Sequence, residues 1–319
     1  MEPSAQSALE SWSIPVPLTS LLVLAGFLYL RGWLRLRSAS VNAIAFWRAA
    51  SFFVGLFLLW VALGSPLAAF DEDLLTVHMV QHLLLMTVGP PLILLGAPLM
   101  PILHGFPRKF VQWVLAPLFR WPPMRWAGGV LSRPAVCWLA GAAALVGWHV
   151  PALFTFALRS EAWHVVEHTC FLGSGLLFWW PVIQPWPSAP TWPRWSILLY
   201  LFLATLPCDI LSAFLVFCDR VVFAVYLSAP KNFSISALAD QQCAGALMWT
   251  CVTIVYLIAA TIVATRLLSP RNSRGNEWTQ SDLPAAFAPS GGRQVARLAD
   301  DTHKILDKPE AAFSCDGAR

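Results

Sequence analysis

Seven apolar runs, each about twenty residues long, divide this chain, and no other feature restricts its fold as tightly. They lie near Ile14–Leu30, Ala43–Leu63, Leu74–Leu95, Ala135–Ala157, Trp163–Ile183, Trp195–Phe217 and Gln242–Thr265. A hydrocarbon core about 30 Å thick takes roughly 20 residues of helix to cross. Helices satisfy their own backbone donors and acceptors where no water can. Each run therefore reads as one membrane span. Composition agrees, with 57% of the 319 residues hydrophobic and 12% charged, against about 25% charged in an ordinary soluble domain. The expected fold is all-α, a polytopic membrane protein built as a seven-transmembrane-helix bundle. Pro90, Pro91, Pro151 and Pro207 fall inside or near the ends of spans, where kinks are tolerated if neighbouring helices satisfy the freed carbonyls.

Loop charges set the orientation. Arg31, Arg35 and Arg37 follow the first run, and Arg108, Lys109, Arg120, Arg125 and Arg133 follow the third. Arg194 follows the fifth, and Arg266, Arg271 and Arg274 the seventh. The opposite loops hold only Arg159, Arg220 and Lys231, with the acidic run Asp71-Glu72-Asp73. That asymmetry places the N-terminus outside and the C-terminus in the cytoplasm. Met1 to Pro15 carries Glu2 and Glu10 and no basic residue, so a cleavable signal peptide is not expected. From Ser269 the sequence becomes polar and charged, which divides the chain into a membrane domain, 1–268, and a disordered cytoplasmic tail, 269–319. Seven cysteines, with no C-x-x-C pair, argue against a disulfide framework. A net charge of +4 gives no reason to expect nucleic-acid binding. Trp121, Trp126, Trp179, Trp180, Trp186 and Trp192 fall at the predicted interfaces, as belt anchors do.

Against this frame the histidines form a pattern. His78 and His82 enter the third span from outside, about 7 and 13 Å below Asp73 at 1.5 Å per residue. His164 and His168 occupy the first two turns of the fifth span, in "WHVVEH", and His149 lies near the outer end of the fourth, in "GWHVP". All five share one layer near the extracytoplasmic face. Residues four apart share a helix face, so each pair can hold one metal ion from a single helix while another helix completes the shell. Neutral imidazole is the commonest metal ligand, and imidazole with thioether suits copper. Asp209, in the sixth span, and Asp240, opening the seventh, reach the same layer. A membrane-embedded carboxylate is a functional-site candidate by default.

Plainer readings compete. A single histidine near an interface is usually only an amphipathic residue, although five on three helices in one layer are harder to explain so. Met86, four residues beyond His82, and Met248 read first as gap-filling core. Glu167 is assigned to a different face from His164 and His168, as a supporting or interfacial group. His104 lies in an inner loop, and His303 in the tail, with no assigned role.

Three chemistries fit a histidine layer. Two stacked haems are disfavoured, because histidines four residues apart lie only about 6 Å from each other, yet a single-haem electron carrier stays open. "HVVEH" at His164–His168 matches the H-x-x-E-H pattern of inverted zincins, so a zinc-dependent membrane hydrolase also stays open. The third is metal handling without turnover.

The segments "HMVQHLLLMTVGPPLILLGAP", "WHVP", "WHVVEH", "LPCDILSAFLVFCDRVVFAVY" and "DQQCAGALMW" together resemble the CtaG-type cytochrome c oxidase assembly factors. These are seven-span proteins of the bacterial inner (plasma) membrane. The resemblance covers nearly all of the chain from the second span to the seventh. It implies a non-enzymatic role in building a haem-copper terminal oxidase, by helping copper reach its centre, with oxidase subunits or other assembly factors as partners. His78, His82, His149, His164, His168 and Asp240 match the family's motif positions. The expected metal ligands are thus His78, His82, His149, His164, His168, Asp209 and Asp240, with copper as the ion and zinc as the alternative.

Overall fold

A computed structural model describes residues 15–39, 44–65, 67–184, 192–193, 195–228 and 235–268. The segment assigned to a cytoplasmic tail, 269–319, lies outside the described residues, as do Ile14 and Trp186. Among the described residues every regular element is helical, and there is no strand. The long helices are α1 (Val16–Ala39), α2 (Phe46–Gly64) and α3 (Leu75–Leu83). A π-helical turn, Leu84–Val88, joins α3 to α4 (Gly89–Leu95), and α5 spans Leu99–Gly105. Then come α6 (Pro134–Trp148), α7 (Pro151–Leu158), α8 (Glu161–Ile183), α9 (Ser196–Phe217) and α10 (Ala237–Leu268).

Among the described residues, five helical stretches are long and apolar enough to cross a membrane: 16–38, 46–70, 75–95, 196–217 and 237–268. A sixth is reached if Pro122–Leu131 and α6, bent by 73° to each other, count as one span. Two of the seven expected runs differ from their sequence reading. The fourth, Ala135–Ala157, is not continuous: α6 stops at Trp148, and α7 restarts at Pro151. Proline at the first helical position starts a helix readily but cannot continue one unbroken. The fifth run forms α8 over 23 residues, yet it is not among the apolar five or six, because His164, Glu167, His168 and Ser174 dilute it.

The π turn has a cause in the sequence. Pro90 and Pro91 carry no N–H, so the carbonyls of Met86 and Thr87 lose their ordinary α-helical donors. The backbone responds by reaching one residue further, with the Gly89 N–H donating to the Leu84 carbonyl. The Met86 carbonyl instead accepts from the Trp179 indole of α8 at 3.2 Å. Trp179 is therefore buried, 2% exposed, and is not the interfacial anchor its position suggested. Gly175 lets α8 come this close, since a Cβ there would stand 2.8 Å from the Met86 oxygen and 2.9 Å from its Cα.

Aromatic packing ties α8, α9 and α10 together. Phe178 stacks on Tyr200 at 5.1 Å and on Tyr256 at 5.4 Å, and the Tyr200 hydroxyl donates to the Phe178 carbonyl at 2.8 Å. Alanine at position 175 gains about 1 kcal/mol of helix propensity over glycine. Because the added methyl meets backbone rather than a yielding side chain, Gly175→Ala is expected to lower stability by about 1–3 kcal/mol. Thermal unfolding in detergent measures this, and an unchanged or raised midpoint would show that the two helices do not press together at Gly175.

Candidate metal centre

The site begins with how α3 is anchored. The first N–H groups of a helix have no partner within it. At α3 they are supplied from across the bundle by Asp240 of α10. Its carboxylate accepts from Leu75 N at 2.7 Å, Thr76 N at 3.1 Å and the Thr76 hydroxyl at 2.6 Å. Gln241 secures the segment after α9, donating to the Leu215 and Arg220 carbonyls and accepting from Val222 N at 2.7 Å. In that segment Tyr226 donates to the Asp71 carbonyl at 2.9 Å. The "DQQ" motif thus fixes both the start of α3 and the turn that presents Asp71.

On α3, His78 and His82 point at α8. Their rings lie 4.2 Å apart, His78 stacks on His164 at 5.6 Å, and His82 lies 5.9 Å from His168. His164 and His168 are 4.2 Å apart. Between the helices stands Glu167, fully buried, with Oε1 at 3.8 Å from His78 Nε2 and 3.6 Å from His82 Nε2. Asp71 Oδ2 lies 3.7 Å from His164 Nε2. Burial pushes the Asp71 carboxyl up to about 7, partly offset by the Gln81 amide. The four rings and two carboxylates therefore form one cluster at the α3–α8 crossing.

These separations are informative. They exceed the 2.7–3.2 Å of an N–H···O bond. Metal bonds of about 2.0–2.2 Å put tetrahedral ligand atoms roughly 3.4 Å from one another, close to what is seen. Two overlapping groups meet this condition with all ligand atoms within 4.8 Å: Asp71, His78 and His164, and His78, His82 and Glu167. His78 belongs to both. Both nitrogens of His78 and of His82, both oxygens of Glu167, and Nε2 of His164 and His168 are buried without a hydrogen-bond partner. Each such group costs about 1–3 kcal/mol, and together they rival the whole stability of an ordinary domain, about 5–15 kcal/mol. A bound cation is what this donor set fits, since it would take one lone pair from each ligating ring and from each carboxylate and offset that part of the cost. The His164 side chain is 20% exposed, whereas His78 and Glu167 are fully enclosed, so the cluster has an open lip and a closed floor.

Not every expected ligand joins. His168, with its ring 5.9 Å from His82, and His149, at the end of α6 and 6.2 Å from it, are in neither group. Asp209 is half-buried on α9 and Asp240 caps α3, and neither belongs to a group. Glu167, assigned from sequence to another face, sits at the centre instead. At 100° per residue it lies only about 60° from His164 on the helix, and α3 approaches from that flank. Asp71 was read only as a topology signal. A cavity of about 40 Å³ lies beside His82 and His149.

The described helices include at least five apolar and long enough to cross a membrane, and the histidine–carboxylate groups between them could hold a metal ion. The chain belongs to the family described as cytochrome c oxidase caa3 assembly factor (Caa3_CtaG), which matches residues 27–269. It is also similar to an uncharacterized protein of Mycobacterium leprae, 22% identical over 289 residues, covering 85% of this chain and 42% of that one. Uncharacterized proteins of Mycobacterium bovis and Mycobacterium tuberculosis are each 23% identical over 278 residues, covering 83% of this chain and 40% of theirs. The chain thus spans about two fifths of the length of the curated relatives it matches. No solved structure matches it.

Capping and ligation by Asp240 give different mutant behaviour. Asp240→Ala is expected to lower stability by about 1.5–3 kcal/mol while folded protein keeps its metal content. Thermal unfolding and metal analysis of the same folded fraction test this. Metal lost at unchanged stability would make Asp240 a ligand.

Proposed function

We propose that this chain is a metal-handling assembly factor that binds copper as cargo at the α3–α8 cluster and supplies it during maturation of a haem-copper terminal oxidase. Family membership supports the assembly role. The observation that carries the metal reading is Glu167, buried within 4 Å of two imidazoles whose nitrogens have no other partner. His78, His82, Glu167, His164 and Asp71 would hold the ion, with His168 beside them. Imidazole and carboxylate together suit a borderline divalent ion, and copper(II) stands highest in the affinity order for such sites.

In this reading the chain crosses the bacterial inner membrane seven times, with the N-terminus outside and the C-terminus in the cytoplasm. α6 with α7 forms the fourth crossing and α8 the fifth. The lip at Asp71 and His164 then opens to the extracytoplasmic side, where metal arrives and an oxidase subunit can receive it. The chain does no chemistry on a substrate: its residues desolvate, coordinate and release. Glu167 keeps a second reading in view, since a zinc hydrolase places a carboxylate base beside its metal.

Detergent-purified protein is expected to carry copper at near one ion per chain by mass spectrometry. His78→Ala with His82→Ala should cut that content at least tenfold, and should fail to restore oxidase activity to a strain lacking the gene. Unchanged metal in the double variant would refute the site. Chelator-sensitive turnover of a lipid amide or ester, with oxidase unaffected by loss of the gene, would favour the hydrolase.

A further inference from the structure

Beyond His82 toward the π turn, the interior changes chemical character. A cavity of about 40 Å³ there is lined by His82 and His149 and by the thioethers of Met79, Met86 and Met248. Met79 and Met248 are buried, at 1% and 3% exposed. Met79 and His82, three apart, are neighbours on α3, and Met86 follows in the π turn. His82 therefore neighbours both His78 and the methionines.

His149 has the stereochemistry of a prepared ligand. Its Nδ1 lies 2.6 Å from the Leu145 carbonyl, one of the carbonyls left over at the end of α6. A carbonyl only accepts, so Nδ1 carries the hydrogen and the neutral ring turns its Nε2 lone pair outward. Holding the second nitrogen on a backbone carbonyl is how metal-binding imidazoles are usually oriented. Nε2 faces Met79 Sδ at 3.4 Å. A thioether has no hydrogen to give, so two lone-pair donors confront each other. Bonds of about 2.0 Å to nitrogen and 2.3 Å to sulfur put tetrahedral N and S ligands roughly 3.5 Å apart, which matches.

We propose that His149 and Met79, with Met86 or Met248, form a second metal position, distinct from the His–carboxylate cluster and selective for copper(I). Thioether donors in an apolar wall with no carboxylate select a soft monovalent ion over zinc(II). The proposal rests on the reading that this chain handles copper, and adds a position and an oxidation state. His82 belongs to the first cluster and also lines the cavity of the second.

The test uses the full chain in detergent with two probes, copper(I) under anaerobic reductant and zinc(II). Wild-type protein loaded with copper(I) should show a sulfur scatterer at about 2.3 Å in its X-ray absorption spectrum. Replacing Met79, Met86 and Met248 together by Leu should abolish that scatterer and weaken copper(I) at least tenfold against a competing chelator. Zinc(II) binding should be unchanged in this variant, which also shows that it folds. A copper(I) spectrum with nitrogen and oxygen neighbours alone, or a sulfur signal that survives the substitutions, would overturn the proposal while leaving the cluster standing. Loss of the cluster reading shows separately, as zinc(II) binding that is indifferent to His78→Ala with His82→Ala. Wild-type protein that takes up no copper(I) overturns the soft site outright.

Discussion

Every backbone and side-chain polar group inside an apolar bundle needs a partner from the protein itself, because hydrocarbon offers none. That constraint explains most of what is irregular here. The prolines at 90 and 91 strip donors from α3's continuation, and a π turn with the Trp179 indole restores what it can. The start of α3 lacks a cap of its own, and Asp240 reaches over from α10 to provide one. Gln241 and Tyr226 do the same for the segment after α9 and for the Asp71 turn.

Measured against that economy, the α3–α8 crossing stands out. The chain that supplies partners to a carbonyl 155 positions away and to an N–H 165 positions away leaves nitrogens of four imidazoles and a carboxylate facing one another without hydrogen bonds. Their spacing is wrong for hydrogen bonding and right for the edges of a coordination shell. Membership of an oxidase assembly family is the ground on which copper is proposed as the occupant of such a shell. The softer group around His149 extends the same logic one step inward, from oxygen and nitrogen donors to nitrogen and sulfur.

Much of this was legible in the sequence. Long apolar runs announced helices, and four-residue spacing placed His78 with His82 and His164 with His168, because both follow from the helical repeat alone. What the repeat cannot give is the direction from which a neighbouring helix arrives. Glu167 was misassigned for that reason: its flank of α8 is ordinary surface until α3 packs on it. Asp71 was read only as part of an acidic loop run, and its backbone is held by a hydrogen bond from Tyr226, far along the chain. The break at His149 needed the proline at 151 to be weighed as a restart rather than a kink. Asp240 was read as a metal ligand, and the structure shows its carboxylate capping the start of α3.

The central claim is that the imidazoles of α3 and α8, with Glu167, act as one ligand set. Cobalt(II) reports this directly, because its visible absorption strengthens sharply when it passes from octahedral water into a tetrahedral protein site. Titrating purified protein with cobalt(II) should give an intense tetrahedral spectrum at one equivalent, and Glu167→Gln should change its shape while His164→Ala with His168→Ala removes it. A spectrum that stays that of the hydrated ion in wild-type protein, or one indifferent to Glu167, would contradict the account.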